Sequence, residues 1–330
     1  MRAVVITNHG DPSVLRVEQR PDPAPGPGQV RVDVHAAGLN FADVMARMGL
    51  YPDAPKPPVV VGYEVAGVVG AVGEGVGGVG EGDRVLAGTR FGGQAEQVVV
   101  AARDVVPLPE SLSFAQGAAV PVNYTTAWAA LVTYGNVQEG ERVLIHAAAG
   151  GVGIAATQIA KRRGATVLGT ASPGKHDAIR ANGVDEAYGY DLPASLDKVD
   201  VVLDAIGGAS FKRSYDLLRP GGRLVAFGAS SVVSGEKRNL VKAAPQALRM
   251  LRGFNLIEQM SASKAVIGLN MLTLWDDRGT LDEWIEPLRE MMDDGSLKPI
   301  VSDEVPFDRA ADAHRIITER RNVGKVVLVP

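Results

Sequence analysis

The chain has 330 residues, a formal net charge of −4 at pH 7, 46% apolar residues and no cysteine. That length suits about two domains of an ordinary globular protein, and the missing cysteines exclude disulfides, a thiol nucleophile and a cysteine metal centre. No extended basic patch argues for nucleic acid, no run of about 18 apolar residues argues for a membrane span, and the opening MRAVVITNHG lacks a signal-peptide pattern, so a cytoplasmic location is expected.

Residues 2–6, 14–19 and 29–35 read as short strands, the last two separated by a turn-rich segment at 21–28. Asn40 then stands where it can cap a short helix carrying Phe41, Val44 and Met45 on its apolar side. Beyond Pro57 and Pro58, alternating valines interrupted by glycines and closed by Gly82-Asp83-Arg84-Val85 read as strand, glycine turn, strand. Residues 92–101 make a further strand. Residues 113–117 and 122–134 read as helices.

The stretch 143–175, VLIHAAAGGVGIAATQIAKRRGATVLGTASPGK, organises the rest. Val143, Leu144 and Ile145 suit a buried parallel strand. Ala148, Gly150 and Gly153 fill the small positions of a G/A-x-G-x-x-G fingerprint. A small residue at 148 permits the tight turn, Gly150 lets backbone approach a pyrophosphate, and Gly153 lets helix and strand pack closely. Val152, Ala155, Ala156, Ile159 and Ala160 have helical spacing, Gly164 ends the helix, and 165–170 is the second strand. The helix N-terminus would present N–H groups and a positive dipole end to phosphates.

An NAD site normally carries an acid at the end of that second strand. Here the segment is Gly169-Thr170-Ala171-Ser172-Pro173-Gly174-Lys175. Ser172 and Lys175 offer a hydroxyl and a cation to a 2′-phosphate, so NADPH is expected rather than NADH. Ser172 also suits an N-cap, with Pro173 as first residue of the next helix; the two roles are compatible. Downstream, 173–182, 210–218 and 281–292 read as helices, 200–203 and 223–228 as strands, and 266–270 as a further strand candidate. The final 322–329 is a strand able to return to the first domain. Strands alternating with helices from 124 to about 270 mean a doubly wound parallel sheet.

This order resembles the medium-chain dehydrogenase/reductase superfamily along essentially the whole chain. The motifs that carry the resemblance are Ala37-Gly38-Leu39-Asn40-Phe41-Ala42-Asp43, Gly49-Leu50-Tyr51-Pro52, Gly82-Asp83-Arg84-Val85, residues 147–153, and Gly324-Lys325. Within it the chain is similar to the zinc-free quinone oxidoreductases, and most to the vesicle amine transport protein group. That second likeness rests on residues 40–47, Val122-Asn123-Tyr124, residues 169–172 with Lys175-His176, and Lys237-Arg238-Asn239-Leu240. The resemblance implies an α/β fold: a Rossmann NADPH-binding domain at 124–270, and a mostly β GroES-like barrel domain at 1–123 and 271–330 for substrate and catalysis. It also implies a homodimer through the Rossmann domain.

Zinc alcohol dehydrogenases have Cys where Asn40 stands and His where Tyr63 stands. Glu64 alone cannot hold a catalytic zinc. The five histidines, at 9, 35, 146, 176 and 314, show no metal spacing, and His146 reads as a core residue of the first Rossmann strand. No metal is therefore expected. Reduction of a quinone or a conjugated enone suits such a site, since the protein mainly positions the two reactants. The resemblance places Asn40, Asp43 and Tyr51 beside the nicotinamide. Tyr51 is either a proton donor or an aromatic lid, Asn40 orders cofactor or substrate, and Asp43 orients the loop. It further implies cofactor contacts from Asn40, Thr126, Ala148, Gly150, Gly151, Val152, Gly153, Thr170, Ser172, Lys175, Tyr190, Phe227, Gly228, Asn322 and Lys325, with pairing to a carboxylate as the alternative for Lys325. The expected substrate is a small quinone or enone. A 2-enoyl thioester reductase and a low-turnover NADPH-binding module acting through protein contacts are the alternatives.

Overall fold

The computed structural model describes residues 1–233, 235–236, 248 and 254–330; the Lys237-Arg238-Asn239-Leu240 motif lies outside them. Its contacts divide the chain into two compact units. One holds residues 1–125 and 274–330 with Gly235 and Glu236, the other residues 126–233, 248 and 254–273.

The first unit begins with β1 (Arg2–Ile6), β2 (Leu15–Gln19), β3 (Gln29–Leu39), helix α1 (Phe41–Met48), β4 (Glu64–Val72), β5 (Arg84–Gly88), β6 (Gln97–Ala101), β7 (Val105–Pro107) and helix α2 (Phe114–Gly117). Helix α3 (Pro121–Trp128) follows and continues as a π-helix over Ala129–Thr133. The second unit then supplies β8 (Arg142–Ile145), α4 (Gly151–Arg162), β9 (Thr166–Thr170), α5 (His176–Ala181), β10 (Glu186–Tyr188), β11 (Val199–Asp204), α6 (Ala209–Leu217), β12 (Leu218–Ala226) and β13 (Ala265–Gly268). The chain returns to the first unit for β14 (Val301–Pro306) and β15 (Lys325–Val329).

In the first unit β3 is the hub: it pairs antiparallel with β4, β6 and β15. Its alternating Val30, Val32 and Val34 point into a core shared with Val65, Val85 and Leu328, as one-sided burial of an antiparallel strand requires. The strand runs on to Leu39 instead of stopping at residue 35, because Leu39, Gly38 and Ala37 pair with Val326, Val327 and Leu328 of β15. Conversely, β6 begins only at Gln97; Gly92, at φ +87°, turns the chain before it.

Among the described residues the second unit holds a six-stranded sheet in the order β10-β9-β8-β11-β12-β13, every pair parallel. This is the doubly wound Rossmann-like arrangement. The chain leaves β8 toward β9 and β10, then returns to β11 on the other side of β8. The strand order thus reverses between β8 and β11, and ligands of open α/β sheets bind at the carboxyl ends of strands beside such a point. Strand β10 escapes a reading of periodicity because it has three half-buried residues at the sheet edge.

Candidate functional site

In the second unit the glycine turn leaves β8 at that reversal. Ala147 takes φ +54°, left-handed and unusual for a residue other than glycine. Gly150 is the extended N-cap of α4 and lends it no side-chain capping bond, so the first-turn N–H groups of Gly151, Val152 and Gly153 have no side-chain acceptor there. A Cβ on Gly153 would lie 2.5 Å from the Ala147 carbonyl oxygen and 2.7 Å from the Ala148 Cα, so only glycine permits this approach of helix to turn. Ala148 is fully buried beneath it. The residues present fit a dinucleotide pyrophosphate.

The other expected cofactor contacts of this unit also follow carboxyl ends of strands. Thr170 ends β9 and is buried. Ser172 and Lys175 are half-buried just beyond it, and Tyr190, 43% exposed, follows β10. Phe227 and Gly228 follow β12. They are not its last residues, as the sequence suggested, because the strand ends at Ala226. The Phe227 N–H instead donates to the Asp204 carbonyl at 3.1 Å. The segment after β9 differs too: Pro173–Lys175 is a 3-10 turn ahead of α5, and the Ser172 side chain makes no capping bond. The serine hydroxyl is thus not engaged as a cap. Thr126 lies on α3, almost fully buried.

In the first unit Asn40, Asp43, Tyr51 and Lys325 are gathered around two residues the sequence did not single out as a pair, Tyr63 and Glu64. Glu64, in a strand otherwise of valines, alanines and glycines, is fully buried. Its Oε1 accepts from Asn40 Nδ2 at 2.9 Å and pairs with Lys325 Nζ, and its Oε2 accepts the Val122 N–H at 2.7 Å, near the positive end of α3. Lys325 Nζ also donates to Asn40 Oδ1 at 2.7 Å. Pairing to a carboxylate, the alternative for Lys325, is what the geometry shows. The sequence signal was available: a carboxylate in a buried strand needs a partner. Asn322 donates to the Gly324 carbonyl at 2.7 Å and holds the turn into β15.

Asp43 accepts the N–H of Asn40 at 2.7 Å, as a helix N-terminus favours, and the N–H of Gly62 at 3.0 Å. Burial pushes its carboxyl up to about 7, with those N–H groups and Lys325 pulling the other way. Tyr51 meets Tyr63 edge-on, with ring centroids 6.2 Å apart. Burial, then the nearby charges of Asp53 and Asp43, pushes the Tyr51 phenol up to about 12, so it is a neutral hydrogen-bond donor at pH 7. The same causes raise the Tyr63 phenol. Its buried hydroxyl has no hydrogen-bond partner among the described residues. Among the described residues, no three of His, Cys, Asp and Glu are grouped to hold a metal, and no helix is long and apolar enough to cross a membrane.

Two family models match: the alcohol dehydrogenase GroES-like domain over residues 26–110 and zinc-binding dehydrogenase over residues 182–328. The human synaptic vesicle membrane protein VAT-1 homolog is 39% identical over 341 residues, spanning 100% of this chain and 86% of that protein. Among solved structures, Escherichia coli quinone oxidoreductase complexed with NADPH aligns with a TM-score of 0.85 at 30% identity, covering 100% of both chains. The CurK enoyl reductase aligns with a TM-score of 0.85 at 27% identity, covering 99% of this chain and 98% of that one.

Proposed function

The chain belongs to the medium-chain dehydrogenase/reductase superfamily, in its zinc-free quinone oxidoreductase family near the VAT-1 homologues, and from that premise we propose that it is an NADPH-dependent reductase of quinones or α,β-unsaturated carbonyls. The observation that carries the reading is the glycine turn at the strand-order reversal, followed just after β9 by Ser172 and Lys175 with no acid between. NADPH, when bound, supplies a hydride to the electrophilic atom of the acceptor. Gly150, Gly151, Val152 and Gly153 hold its pyrophosphate, Ser172 and Lys175 its 2′-phosphate, and Tyr190 its adenosine end. Thr126, Thr170, Phe227, Gly228 and Asn322 shape the rest of the nucleotide site. Lys325 acts through Asn40, whose amide it orients together with Glu64. Tyr51 donates a hydrogen bond or proton to the acceptor oxygen as negative charge develops there, and Asp43 orients the loop before it.

Purified protein assayed with NADPH against quinones, enals and 2-enoyl thioesters tests this. The likeness to the CurK enoyl reductase supports the thioester reading, and turnover confined to 2-enoyl thioesters would select it. Tight NADPH binding with negligible turnover on all three classes would select a binding module, for which the vesicle-protein relatives speak. Quinone or enal turnover is the expected result.

Zinc has no part in this proposal. Glu64 already faces a buried cation, Lys325, and positions 40 and 63 carry Asn and Tyr, neither a typical zinc ligand. Chelator treatment should leave turnover unchanged; stoichiometric zinc with chelator-sensitive turnover would refute this.

Lys175→Ala should weaken NADPH about ten- to a hundredfold, because a charge-assisted contact to phosphate is worth roughly 1.5–3 kcal/mol. NADH, without the phosphate, should bind the variant and the parent protein alike. Equal weakening of both cofactors would mean that Lys175 supports the fold instead.

A homodimer through the second unit, located in the cytoplasm, completes the proposal. Strand β13 forms one edge of its sheet, and Leu256, Ile257 and Met260 on the preceding helix Leu256–Ala262 are 68%, 73% and 72% exposed. Light scattering at micromolar concentration should give twice the chain mass, and a monomer would refute it.

A further inference from the structure

We infer that Asp204, Ser214, His146 and Thr170 form one directed hydrogen-bond chain that clamps Ala147 of the glycine turn and so sets cofactor affinity, with His146 and Ser214 acting as positioning residues that need not touch the cofactor. This rests on the NADPH reading above.

The chain of bonds lies within the second unit and ties together the carboxyl ends of β8, β9 and β11. Asp204 is fully buried at the end of β11. Its Oδ1 accepts the N–H groups of Ile206 at 2.8 Å and Gly207 at 3.2 Å, and its Oδ2 accepts from Ser210 Oγ at 2.7 Å and Ser214 Oγ at 2.6 Å. Four donors converge on it, so it serves this cluster as the acceptor. The single Ser214 proton therefore points at Asp204, leaving Ser214 Oγ as acceptor toward His146 Nε2 at 3.1 Å. That nitrogen must carry the imidazole proton. His146 Nδ1 is then the acceptor, and it receives the Thr170 hydroxyl at 3.0 Å. Thr170 Oγ1 in turn accepts the N–H of Ala147 at 3.3 Å, and the Thr170 carbonyl accepts the N–H of Ala148 at 2.9 Å.

Every proton in the series has one allowed direction, from the turn to the carboxylate. Burial holds His146 below its usual range, toward the neutral form this series requires. The series ends on Ala147, the residue whose backbone is left-handed and whose carbonyl accepts the Gly150 N–H at 2.9 Å. A left-handed alanine persists only where its surroundings hold it. Here the clamp on its N–H comes from a side chain two strands removed in connectivity from the carboxylate that orients it. If the hydroxyl at 214 is lost, His146 Nε2–H loses its acceptor. The imidazole then gains by shifting its proton to Nδ1, which removes the acceptor from Thr170 and loosens Ala147.

The test is NADPH titration of the full chain by cofactor fluorescence, alongside selective ¹⁵N-histidine NMR. The wild-type His146 should show the Nε2–H tautomer. Ser214→Ala should raise the NADPH dissociation constant roughly two- to thirtyfold, the range for residues acting through a network, and leave kcat at saturating NADPH and the acceptor KM unchanged. Thr170→Val should weaken NADPH similarly and Thr170→Ser should restore it. The Ser214→Ala/Thr170→Val double variant should bind no worse than the weaker single one, because both break the same series. Unchanged NADPH affinity in Ser214→Ala, even with a lowered melting temperature, would overturn the inference, as would additive single effects or an Nδ1–H tautomer in the wild type. Wild-type protein that fails to bind NADPH would instead remove the cofactor reading and the affinity claim with it; the tautomer would still decide whether the bonded series exists.

Discussion

Lys325→Ala is expected to destabilise the protein by about 3–5 kcal/mol, the range for removing one partner of a buried ion pair. The side chains of Lys325 and Glu64 are 3% and 0% exposed, so water cannot take the place of the lost ammonium. Asn40 Nδ2 and the Val122 N–H remain on the carboxylate, but neither carries a full charge. The comparison that isolates the mechanism is Lys325→Met with Glu64→Gln. The pair is then neutral, and the Gln carbonyl can still accept from Val122. This double variant should recover more than half of the lost stability. The urea midpoints of the single and double variants measure both quantities. A loss in Lys325→Ala below about 1 kcal/mol, typical of exposed pairs, would show that the pair is solvated and that its proposed control of Asn40 fails.

The second large effect is expected at Gly153. In Gly153→Val the new Cβ would stand 2.5 Å from the Ala147 oxygen and 2.7 and 2.8 Å from the Ala148 Cα and carbonyl carbon. All three are backbone atoms of the turn, so no side chain can swing aside. Helix α4 must move away from β8, and its first-turn N–H groups move with it. Those groups then lose charge-assisted bonds to the pyrophosphate worth roughly 1.5–3 kcal/mol each, so NADPH affinity should fall by about ten- to a hundredfold or more. Overpacking should lower stability by about 1–3 kcal/mol in addition. Gly77→Ala, where a Cβ meets nothing within 4 Å, is the control and should leave both quantities unaltered. Retained NADPH affinity in a folded Gly153→Val protein would sink the assignment of this turn to the pyrophosphate.

These two positions differ in how readable they were. The glycine turn is contiguous in sequence. Its strand, small residues, helix and second strand lie within 143–175, and each is dictated by local sterics and periodicity, so the sequence alone determined the α/β class, the alternation of strands and helices and the nucleotide-type turn. The absence of an acid after β9 was equally local. Tertiary structure alone decided what is joined across the chain. Glu64 and Lys325 are 261 positions apart, Asn40 and Lys325 285, and His146 and Ser214 68. Lys325 stands at the start of an apolar strand, and nothing in its neighbours says which carboxylate it meets; the register of β15 on β3 and of β3 on β4 decides that. His146 read as a core residue because its flanks are apolar. It is buried, but the parallel pairing of β8 with β9 gives it Thr170 on one side, and helix α6, which follows β11, gives it Ser214 on the other. Periodicity reports which face of an element is buried, whereas a buried polar group is stabilised by whichever distant donor or acceptor the sheet order brings within about 3 Å.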